Sequence, residues 1–367
     1  MFLLLMAGLA AALVGLCVRY TTRHWDRGLA VRLRFPRETL SEGESGVLEQ
    51  TVVNRKLLPF WWGDIRCTLP PFIRLQSPDY AGREYYRDTV SVFSYEQVTK
   101  EVPFTAVRRG YYCIGSAELS TQDFFFRWRM LAREPQDAEL YVYPSRQYAG
   151  AFEPEFRRIM GDILTRRLPV EDPFQFRDIR DYAPFDSLKK INWKATARTG
   201  ETKVNEFSAT ASQETVLLLD LDRPSDWNPE ELREAVLRIG ASLADRLLAT
   251  GVPTGLRSNA CDVVTGKLCA LPCRGGAGQT DTVNRCLARM DTGRLALPFP
   301  RVLESLPAGG PQYLIVSCDE GPALHEAMER LCRAGAPVEW VLVRERGARL
   351  PGAASGGPAP HICEVTV

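Results

Sequence analysis

The hydrophobic periodicity of this chain changes once, near Pro144, and that change constrains the fold more than any other feature. Before it, short runs rich in Val, Tyr, Phe and Thr recur between turn residues. Runs of this length and spacing predict an antiparallel, immunoglobulin-like β-sandwich over residues 29–145. The runs are LAVRLRF, GVLEQTVVNR, DIRCTL, EYYRDTVSVF, VTKEVPFTAV, YYCIGSAEL and AELYVYP.

After Pro144, apolar runs alternate with segments of helical periodicity. TVLLLDL at 215–221 is typical of a buried parallel strand, and residues 229–250 have helical spacing with a proline in the first turn. The alternation predicts an α/β domain with a mostly parallel sheet over residues 146–347. Residues 348–367 are predicted to form a flexible tether followed by an edge strand, HICEVTV. Further strands are expected at VPTGLRS, KLCAL, QYLIVSC and PVEWVLV, with helices at TDTVNRCLARM and ALHEAMERLCRA.

Residues 2–18 form an uncharged apolar run at the amino end. As a helix the run is roughly 26 Å long, which spans a bilayer of about 30 Å if flanking side chains snorkel. Basic residues follow the run and none precedes it, so an uncleaved anchor is favoured over a secretory signal peptide, and the lack of a polar stripe argues against a buried core helix. The positive-inside rule then predicts a single-pass protein of the cell membrane, with residues 1–28 as anchor and basic juxtamembrane segment and the bulk of the chain cytoplasmic.

The composition argues against several function classes. A net charge of +1 gives no broad field to attract nucleic acid. Three histidines offer little for a histidine-driven triad or a zinc hydrolase, and no histidine is placed to activate Cys318 as a nucleophile. The spacing of Cys261, Cys269 and Cys273 fits no common zinc pattern, so these residues are expected to be small buried hydrophobes. The chain is therefore predicted not to be an enzyme.

An aromatic cluster, Phe60, Trp61 and Trp62, follows Pro59 between two predicted strands. It can be interpreted as an exposed surface for a partner or as packing at the end of a strand. We favour packing.

A short helix is predicted over residues 187–198. Asp186 and Ser187 follow Pro184 as candidate N-caps, and Gly200 is a candidate C-terminal stop. At helical spacing, Lys190, Lys194 and Arg198 form one stripe. The stripe lies inside the least polar face, with Trp193 and Ala197 on one side and Leu188, Ile191 and Ala195 on the other.

An unpaired charge is costly to bury, so bases on an apolar face need a counter-charge. Two interpretations supply one. The favoured one is an internal ion-pair network that holds this segment to the α/β domain. The other is a site for an anion or an acidic partner, with Arg198 as the bidentate donor and Trp193 as a flat wall. The carboxylates available for the internal network are Asp172, Asp178, Asp181, Asp186, Asp220 and Asp222.

The segment FRDIRDYAPFDSLKKINWKATARTGETKVNEF, residues 176–207, resembles the signature of a bacterial family, domain of unknown function 58, with the pattern R-x-Y-x-x-G-D-x-x-x-x-I-x-W-K-x-x-A-R. Phe185 departs from the pattern where glycine is usual. A weaker resemblance extends upstream through VVNRKLLPF and VRRGYYCIGSAELSTQDFF, where Phe125 again replaces glycine. The matching positions are Arg180, Tyr182, Asp186, Ile191, Trp193, Lys194, Ala197 and Arg198.

The resemblance implies a membrane anchor, a β-sandwich-like region and a domain similar to von Willebrand factor type A. It also implies an association with AAA+ ATPases of the MoxR type and with neighbouring membrane proteins. We therefore expect a membrane-anchored, non-enzymatic adaptor or scaffold, whose partner or anion site lies at the signature positions Arg180, Tyr182, Asp186, Trp193, Lys194 and Arg198.

An alternative is a metal-dependent binding protein. The type A fold carries a magnesium site, D-x-S-x-S, after its first strand, where carboxylates and hydroxyls supply hard oxygen ligands. Here Asp220 and Asp222 follow the first strand, but Pro224 replaces the second serine and Ser225 comes one position late. With Asp319 as a later ligand, these residues form a degenerate candidate site for magnesium; no other cofactor is expected.

Overall fold

The structure is a computed structural model of the 367-residue chain. It divides into two compact units: residues 1–145 with 284–290, and residues 146–283 with 291–367. The described residues are 6, 8–9, 15–16, 18–20, 22–76, 85–122, 129–146, 153–166, 171–183, 191–209, 214–222, 229–307, 311–347 and 358–365.

Most of the predicted anchor, residues 2–18, lies outside the described residues. Within the part that is described, no helix has both the length and the apolar character needed to cross a membrane. The segment that follows joins the first unit through a turn, in which the Leu29 amide donates to the Asp26 carbonyl at 3.0 Å and the Arg55 amide donates to the Gly28 carbonyl at 2.7 Å.

The first unit is an immunoglobulin-like, β-rich region, as the sequence predicts. Two sheets have the strand orders β1-β3-β7-β5 and β2-β9-β8-β4-β6. Neighbouring strands are antiparallel, apart from β2, which runs parallel to β9. The strands are β1 (Leu29–Arg34), β2 (Thr39–Ser41), β3 (Ser45–Asn54), β4 (Phe60–Thr68), β5 (Ile73–Leu75), β6 (Tyr85–Val92), β7 (Gln97–Ala106), β8 (Gly110–Gln122) and β9 (Arg129–Tyr143).

Alternation along these strands builds the core of the first unit. In β6, for example, every second residue from Tyr86 to Val92 is buried while its neighbours are exposed, which is the period of a strand with one face in the core. Side chains from both sheets form one cluster that includes Leu48, Ile65 and Phe104. The apolar runs of the sequence therefore supply one shared core.

The second unit combines helices with a seven-stranded sheet and a separate two-stranded ribbon, β10-β11. The helices are α1 (Glu153–Arg166), α2 (Trp193–Thr199), α3 (Pro229–Ala249), α4 (Ala277–Arg289), α5 (Phe299–Glu304) and α6 (Pro322–Arg333). The strands are β10 (Glu171–Asp181), β11 (Lys203–Ala209), β12 (Thr215–Leu219), β13 (Thr254–Asp262), β14 (Leu268–Arg274), β15 (Met290–Leu295), β16 (Gln312–Ser317), β17 (Val338–Glu345) and β18 (Pro360–Val365). Residues 284–290, which are the end of α4 and the first residue of β15, belong to the first unit.

The large sheet has the order β14-β13-β12-β16-β17-β18, with β15 also paired to β13. Strands β12, β13, β16, β17 and β18 are parallel, and β14 is antiparallel to β13. All residues of β12 and β16 are buried, which explains their continuous apolar sequences. The direction in which successive strands join the sheet reverses between β12 and β16. Open α/β sheets bind ligands at the carboxyl ends of the strands at such a point.

The helix of the signature segment is shorter than predicted. Asn192 is its N-cap, because the Asn192 side chain accepts the Ala195 amide at 2.9 Å, and Ile191 forms an isolated β-bridge with Val204. Residues 191–192 are therefore not helical, and the predicted helical register from 187 is wrong there. The predicted stop is correct: Gly200 has the left-handed φ of 79° and donates its amide to the Thr196 carbonyl.

Candidate functional site

Helix α2 carries the exposed half of the signature. None of its residues Trp193–Thr199, all within the described part of the chain, is buried. The Trp193 side chain is 70% exposed, and Lys194 and Arg198 are exposed beside it. The prediction that these bases lie inside an apolar arc is wrong, because it counted residues before Trp193 as helical. Ala195 and Thr196 are the half-buried positions instead.

The β10-β11 ribbon holds α2 in place. The Thr196 hydroxyl accepts the Lys203 amide at 3.0 Å, and the Asn192 amide donates to the Lys203 carbonyl at 2.8 Å. The Asn192 side chain also donates to Asn205 Oδ1 at 2.7 Å. Because these bonds fix both the cap and the inner face of α2, the outer face with Trp193 is presented from a defined backbone.

Asp178 and Asp181, two of the carboxylates predicted to pair with Lys194 and Arg198, are described by the structure and bond to other groups. The Asp181 carboxylate pairs with the Lys203 ammonium, and Asp181 and Glu201 raise the pKa of Lys203. Asp178 Oδ1 accepts the amide of the next residue at 2.8 Å. Among the described residues, neither Lys194 nor Arg198 forms an ion pair, so an internal network through these two aspartates is not formed.

Of the remaining signature positions, some lie within the described residues and others lie outside them. Arg180 is exposed at the end of β10, where its guanidinium donates to the Asp181 carbonyl at 3.0 Å, and Tyr182 is half-buried. Asp186 lies outside the described residues, as do Phe185 and the side chain of Asp172. The structure thus brings Trp193, Lys194 and Arg198 together on one short helix.

A second polar cluster lies at the carboxyl ends of β12 and β16, where the strand order reverses. Asp220 is buried, and the Ser317 hydroxyl donates to its Oδ2 at 2.6 Å while the Asp222 amide donates to its Oδ1 at 2.9 Å. Asp222 in turn accepts from the Asn259 side chain and the Phe299 amide, each at 2.7 Å. The structure therefore brings the predicted aspartates together, but with protein donors on their oxygens.

Asp319 completes this cluster. The Asp319 amide donates to the Ser317 hydroxyl at 2.8 Å, and Asp319 Oδ1 accepts the Gly321 amide at 2.9 Å. Ser225, the fourth predicted ligand, lies outside the described residues. The predicted pairing of Asp220 and Asp222 with Lys194 and Arg198 is wrong for the described contacts, because Ser317, Asn259 and backbone amides satisfy these carboxylates instead.

The electrostatics of the cluster follow from burial. The pKa of Asp220 is raised to about 7, chiefly by burial and in smaller part by the nearby Asp222 and Asp319 carboxylates, against the hydrogen bonds from Ser317 and the Asp222 amide, which lower it. Burial also raises the pKa of Asp222. The pKa of the Cys318 thiol rises to about 12 through burial and the neighbouring Asp220 and Asp319, so this thiol is protonated at neutral pH.

Ser317 and Asn259 also belong to this cluster and were not predicted from the sequence. Each is a polar residue in a strand that is almost entirely buried, in QYLIVSC and in LRSNACD. Ser317 is fully buried and bonds Asp220, while Asn259 is fully buried and its Oδ1 accepts the Leu221 amide at 3.0 Å. A polar side chain near the end of a buried strand was the available signal, because such a group needs a partner.

The aromatic cluster at the start of β4 divides into buried and exposed members. Phe60 is buried, whereas Trp61 is 66% and Trp62 is 48% exposed, so the packing prediction is correct only for Phe60. A register shift between Phe60 and Gly63 in the β4-β6 pairing turns two successive residues outward. A Cβ on Gly63 would lie 2.1 Å from the Phe60 ring, which explains the glycine.

Two loops hold this exposed group together. The buried Asn54 side chain donates to the Leu58 carbonyl at 3.0 Å and to the Phe93 carbonyl at 2.9 Å, and the Ser94 hydroxyl donates to the Leu57 carbonyl. The Trp61 and Phe93 rings meet edge to face at 6.4 Å. The exposed side chains of this surface, called the aromatic tip below, are Leu57, Leu58, Trp61, Trp62, Phe93 and Tyr95.

The aromatic tip lies beside the segment that follows the apolar amino-terminal run. The Trp25 ring stacks near the Phe60 ring with centroids 6.5 Å apart, and the Lys56 ammonium donates to the Trp25 carbonyl. Two bases, Arg55 and Lys56, stand in the same loop as Leu57.

Comparison with known proteins identifies one domain. Residues 178–312 match the family model described as "Protein of unknown function DUF58", so the chain contains a DUF58 domain over that range. The "Uncharacterized protein YeaD" of Bacillus subtilis (strain 168) is 26% identical over 212 residues, which is 57% of this chain and 50% of that protein. The chain thus matches about half the length of this curated relative.

Solved structures give only remote likenesses. The CARDB domain of the PF1109 protein from Pyrococcus furiosus, determined in complex with di-metal ions, is 18% identical with a TM-score of 0.23, covering 31% of this chain and 91% of that one. The seventh ScaB type I cohesin from Pseudobacteroides cellulosolvens is 8% identical with a TM-score of 0.22, covering 32% and 93%. Likenesses this weak support no statement about function.

Proposed function

We propose that this protein is a membrane-anchored, non-enzymatic adaptor or scaffold, and that the outer face of α2 binds an acidic segment of a partner protein. The observation that carries the proposal is the exposure of Trp193, Lys194 and Arg198 on a helix whose N-cap and inner face are bonded to the β10-β11 ribbon. An exposed tryptophan beside two bases that form no ion pair among the described residues combines a large apolar surface with charge complementary to carboxylates.

The partner proposed from the family resemblance is an AAA+ ATPase of the MoxR type, together with neighbouring membrane proteins. A domain similar to von Willebrand factor type A is proposed for the second unit. With β15 left aside, numbering the sheet strands β12, β13, β14, β16, β17 and β18 from one to six gives the order 3-2-1-4-5-6 of a doubly wound α/β sheet, with β14 antiparallel; this supports the α/β part of that proposal.

A non-enzymatic role is supported by the state of the reactive groups near the reversal of strand order. The Cys318 thiol is held protonated, and the oxygens of Asp220 and Asp222 accept hydrogen bonds from the protein itself. We therefore assign these groups a structural role at the ends of the loops and no role in acting on a substrate.

Membrane attachment is supported by the aromatic tip. Tryptophan and tyrosine are enriched where proteins meet the headgroup region, and bases such as Arg55 and Lys56 are attracted to anionic headgroups. Because Trp25, next to the tip, follows the apolar run at 2–18, we propose that the tip faces the membrane surface beside a single-pass anchor. The bulk of the chain is then cytoplasmic.

Binding of the purified full-length chain in detergent to a purified MoxR-type ATPase tests the proposal. Arg198→Glu and Trp193→Ala are each expected to weaken binding at least about tenfold, since hot-spot side chains contribute about 2 kcal/mol or more. Lys267→Glu reverses an exposed base elsewhere in the same unit and is the matched control. Equal binding by Arg198→Glu and by the control would contradict the proposal.

A second candidate function, metal-dependent binding, is favoured by the meeting of Asp220, Asp222 and Asp319 where the strand order reverses. Ser225 would be the remaining oxygen ligand of a magnesium ion. Calorimetric titration of magnesium into the wild type and Asp319→Asn separates the two functions. Magnesium binding that Asp319→Asn abolishes would support this candidate, and the absence of any heat of binding would remove it.

A further inference from the structure

The aromatic tip lies at the end of the first unit where the chain enters β1. Strand β1 begins beside the end of β3, since Leu29 pairs with Asn54, and β4 begins beside the end of β6, since Phe60 pairs with Val92. The loops that carry the tip therefore meet next to the residues that precede β1. The fold thus brings the tip to the segment that follows the apolar run.

The connection between the apolar run and the tip is short. Val18 and Tyr20 are helical, and the His24 amide donates to the Tyr20 carbonyl at 3.1 Å. Trp25, which lies beside the tip, comes seven residues after Val18, or about 10 Å further along a helix. The headgroup layer on each side of a bilayer is roughly 5–8 Å thick. With residues 2–18 in the hydrocarbon core, the tip therefore lies at the level of the headgroups.

The tip exposes several large apolar side chains at one place. Leu57, Trp61, Phe93 and Tyr95 are between 62% and 73% exposed. Single exposed apolar residues are usual on soluble proteins, whereas a contiguous group marks a surface that binds a protein or a membrane. The tip is therefore a candidate binding surface, and its surroundings decide between these two classes of partner.

The turn that carries Phe93 and Tyr95 is built to present them. Tyr95 has a φ of 58°, in the left-handed region that residues with a Cβ adopt at a cost. Glu96 closes the turn, because its carboxylate accepts the Phe93 amide at 2.6 Å and its own amide donates to the Phe93 carbonyl at 3.3 Å. Since the turn is already ordered, binding through Phe93 and Tyr95 costs little conformational entropy.

Basic residues surround the tip. The segments 19–27, 54–62 and 92–97 together contain five basic and two acidic residues, although the chain as a whole has a net charge of only +1. One of the acidic residues, Glu96, bonds the amide of its own turn. A local excess of bases around an apolar surface is complementary to anionic headgroups. The exposed bases are Arg19, Arg23, Arg27 and Arg55.

We propose that the aromatic tip enters the headgroup layer of the membrane and binds anionic lipid. Trp61, Phe93 and Tyr95 pack between the headgroups, and the exposed bases bind the negatively charged groups around them. The inference rests on the proposed anchor at residues 2–18 and adds a lipid preference that the anchor alone does not supply. A second point of attachment beside the anchor fixes the tilt of the first unit on the membrane.

Reconstitution of the full-length chain in lipid nanodiscs tests the inference through the fluorescence of Trp61. Lipids brominated in the upper part of the acyl chains quench tryptophans that reach the headgroup layer. In brominated discs of phosphatidylcholine and phosphatidylglycerol, we expect the quenched part of the emission to be smaller in Trp61→Phe than in the wild type. Trp193→Phe removes an exposed tryptophan of the second unit and is the matched control, which should leave the quenched part unchanged.

The charge of the lipid gives a second readout. The quenched emission of Trp61, taken as the difference between each chain and its Trp61→Phe counterpart, should be smaller in discs of phosphatidylcholine alone. In the anionic discs, Arg55→Glu should lower the ratio of quenched to unquenched Trp61 at least about fivefold, since each base near an anionic surface contributes about that factor. Arg34→Glu reverses an exposed base at the other end of β1 and should have no effect.

The possible failures are distinguishable. Equal Trp61 emission in brominated and ordinary discs that retain the chain would overturn the inference, assign the tip to a protein partner and leave the anchor intact. Equal quenching in charged and uncharged discs would overturn the binding of anionic lipid. A chain that does not stay with the discs would overturn the anchor and this inference with it. Binding of the ATPase by α2 in detergent is measured separately and depends on none of these results.

Discussion

Helix α2 and the Asp220 cluster both belong to the second unit and both contain charged side chains, yet their surroundings are opposite. In the Asp220 cluster, each aspartate accepts hydrogen bonds from side chains or amides of neighbouring strands and loops. On α2, the β10-β11 ribbon bonds to the Asn192 cap and the Thr196 hydroxyl, while the signature side chains Trp193, Lys194 and Arg198 are exposed to solvent. Charged groups that form hydrogen bonds within the protein stabilise the fold. Charged groups that lie exposed on an element held by the rest of the protein are available to bind a partner.

The largest effect is expected from Asn259→Ala. This change leaves the Leu221 amide without its acceptor and removes the donor to Asp222 Oδ1, while Asp222 Oδ2 keeps the Phe299 amide, so the free energy of unfolding should fall by about 3 kcal/mol. Chemical denaturation measures the change. A loss below about 0.5 kcal/mol would mean that the cluster does not stabilise the fold and would remove the contrast with α2.

The pH dependence of stability sharpens the comparison. The pKa of Asp220 is raised from 3.8 to about 7, so the folded chain favours the protonated form of this carboxyl group. The contribution of Asp220 to stability is therefore complete below about pH 4 and is lost as pH rises toward 7. Asp220→Asn stays neutral, so the stability of this variant relative to the wild type should increase from about pH 5 to about pH 8. Glu326→Gln, at an exposed position, is the control, and a relative stability of Asp220→Asn that does not change with pH would contradict this electrostatic description.

A smaller effect is expected at the end of α2. Gly200 has a φ of 79°, which residues with a Cβ adopt at a cost, so Gly200→Ala should lower the free energy of unfolding by about 1 kcal/mol. The same change should weaken partner binding by loosening the helix that presents Trp193. Gly115→Ala, where φ is not positive and a Cβ meets open space, is a useful comparison for partner binding. Full binding by a destabilised Gly200→Ala chain would show that α2 need not be rigid.

Local patterns in the sequence were sufficient to predict most strands and helices, because burial on one face imposes a period of two or of 3.6 residues. The fully buried run TVLLL and the alternation in YYRDTVSV are examples. The β10-β11 ribbon and α1 were not predicted, and the signature helix was started too early. The capping bond of Asn192 and the bridge of Ile191 to Val204 depend on a neighbouring strand that periodicity does not reveal.

The candidate sites were less predictable, because their partners come from distant parts of the chain. Asp220 and Asp222 were found from the resemblance to the type A fold, which implies acidic residues after the first strand, but Ser317, which bonds Asp220, is 97 residues away. The exposure of Trp61 and Trp62 depends on a register shift in a strand pair, and the composition of the segment alone favours burial.

The central claim is that α2 binds a partner and contributes little to stability, and Arg198→Glu tests both parts in one protein preparation. The free energy of unfolding, from denaturant titration, should change by less than about 0.5 kcal/mol, as for other exposed positions. Affinity for the purified MoxR-type ATPase should fall at least about tenfold. Unchanged affinity, or a loss of stability above about 2 kcal/mol, would contradict the claim and make Arg198 part of the fold.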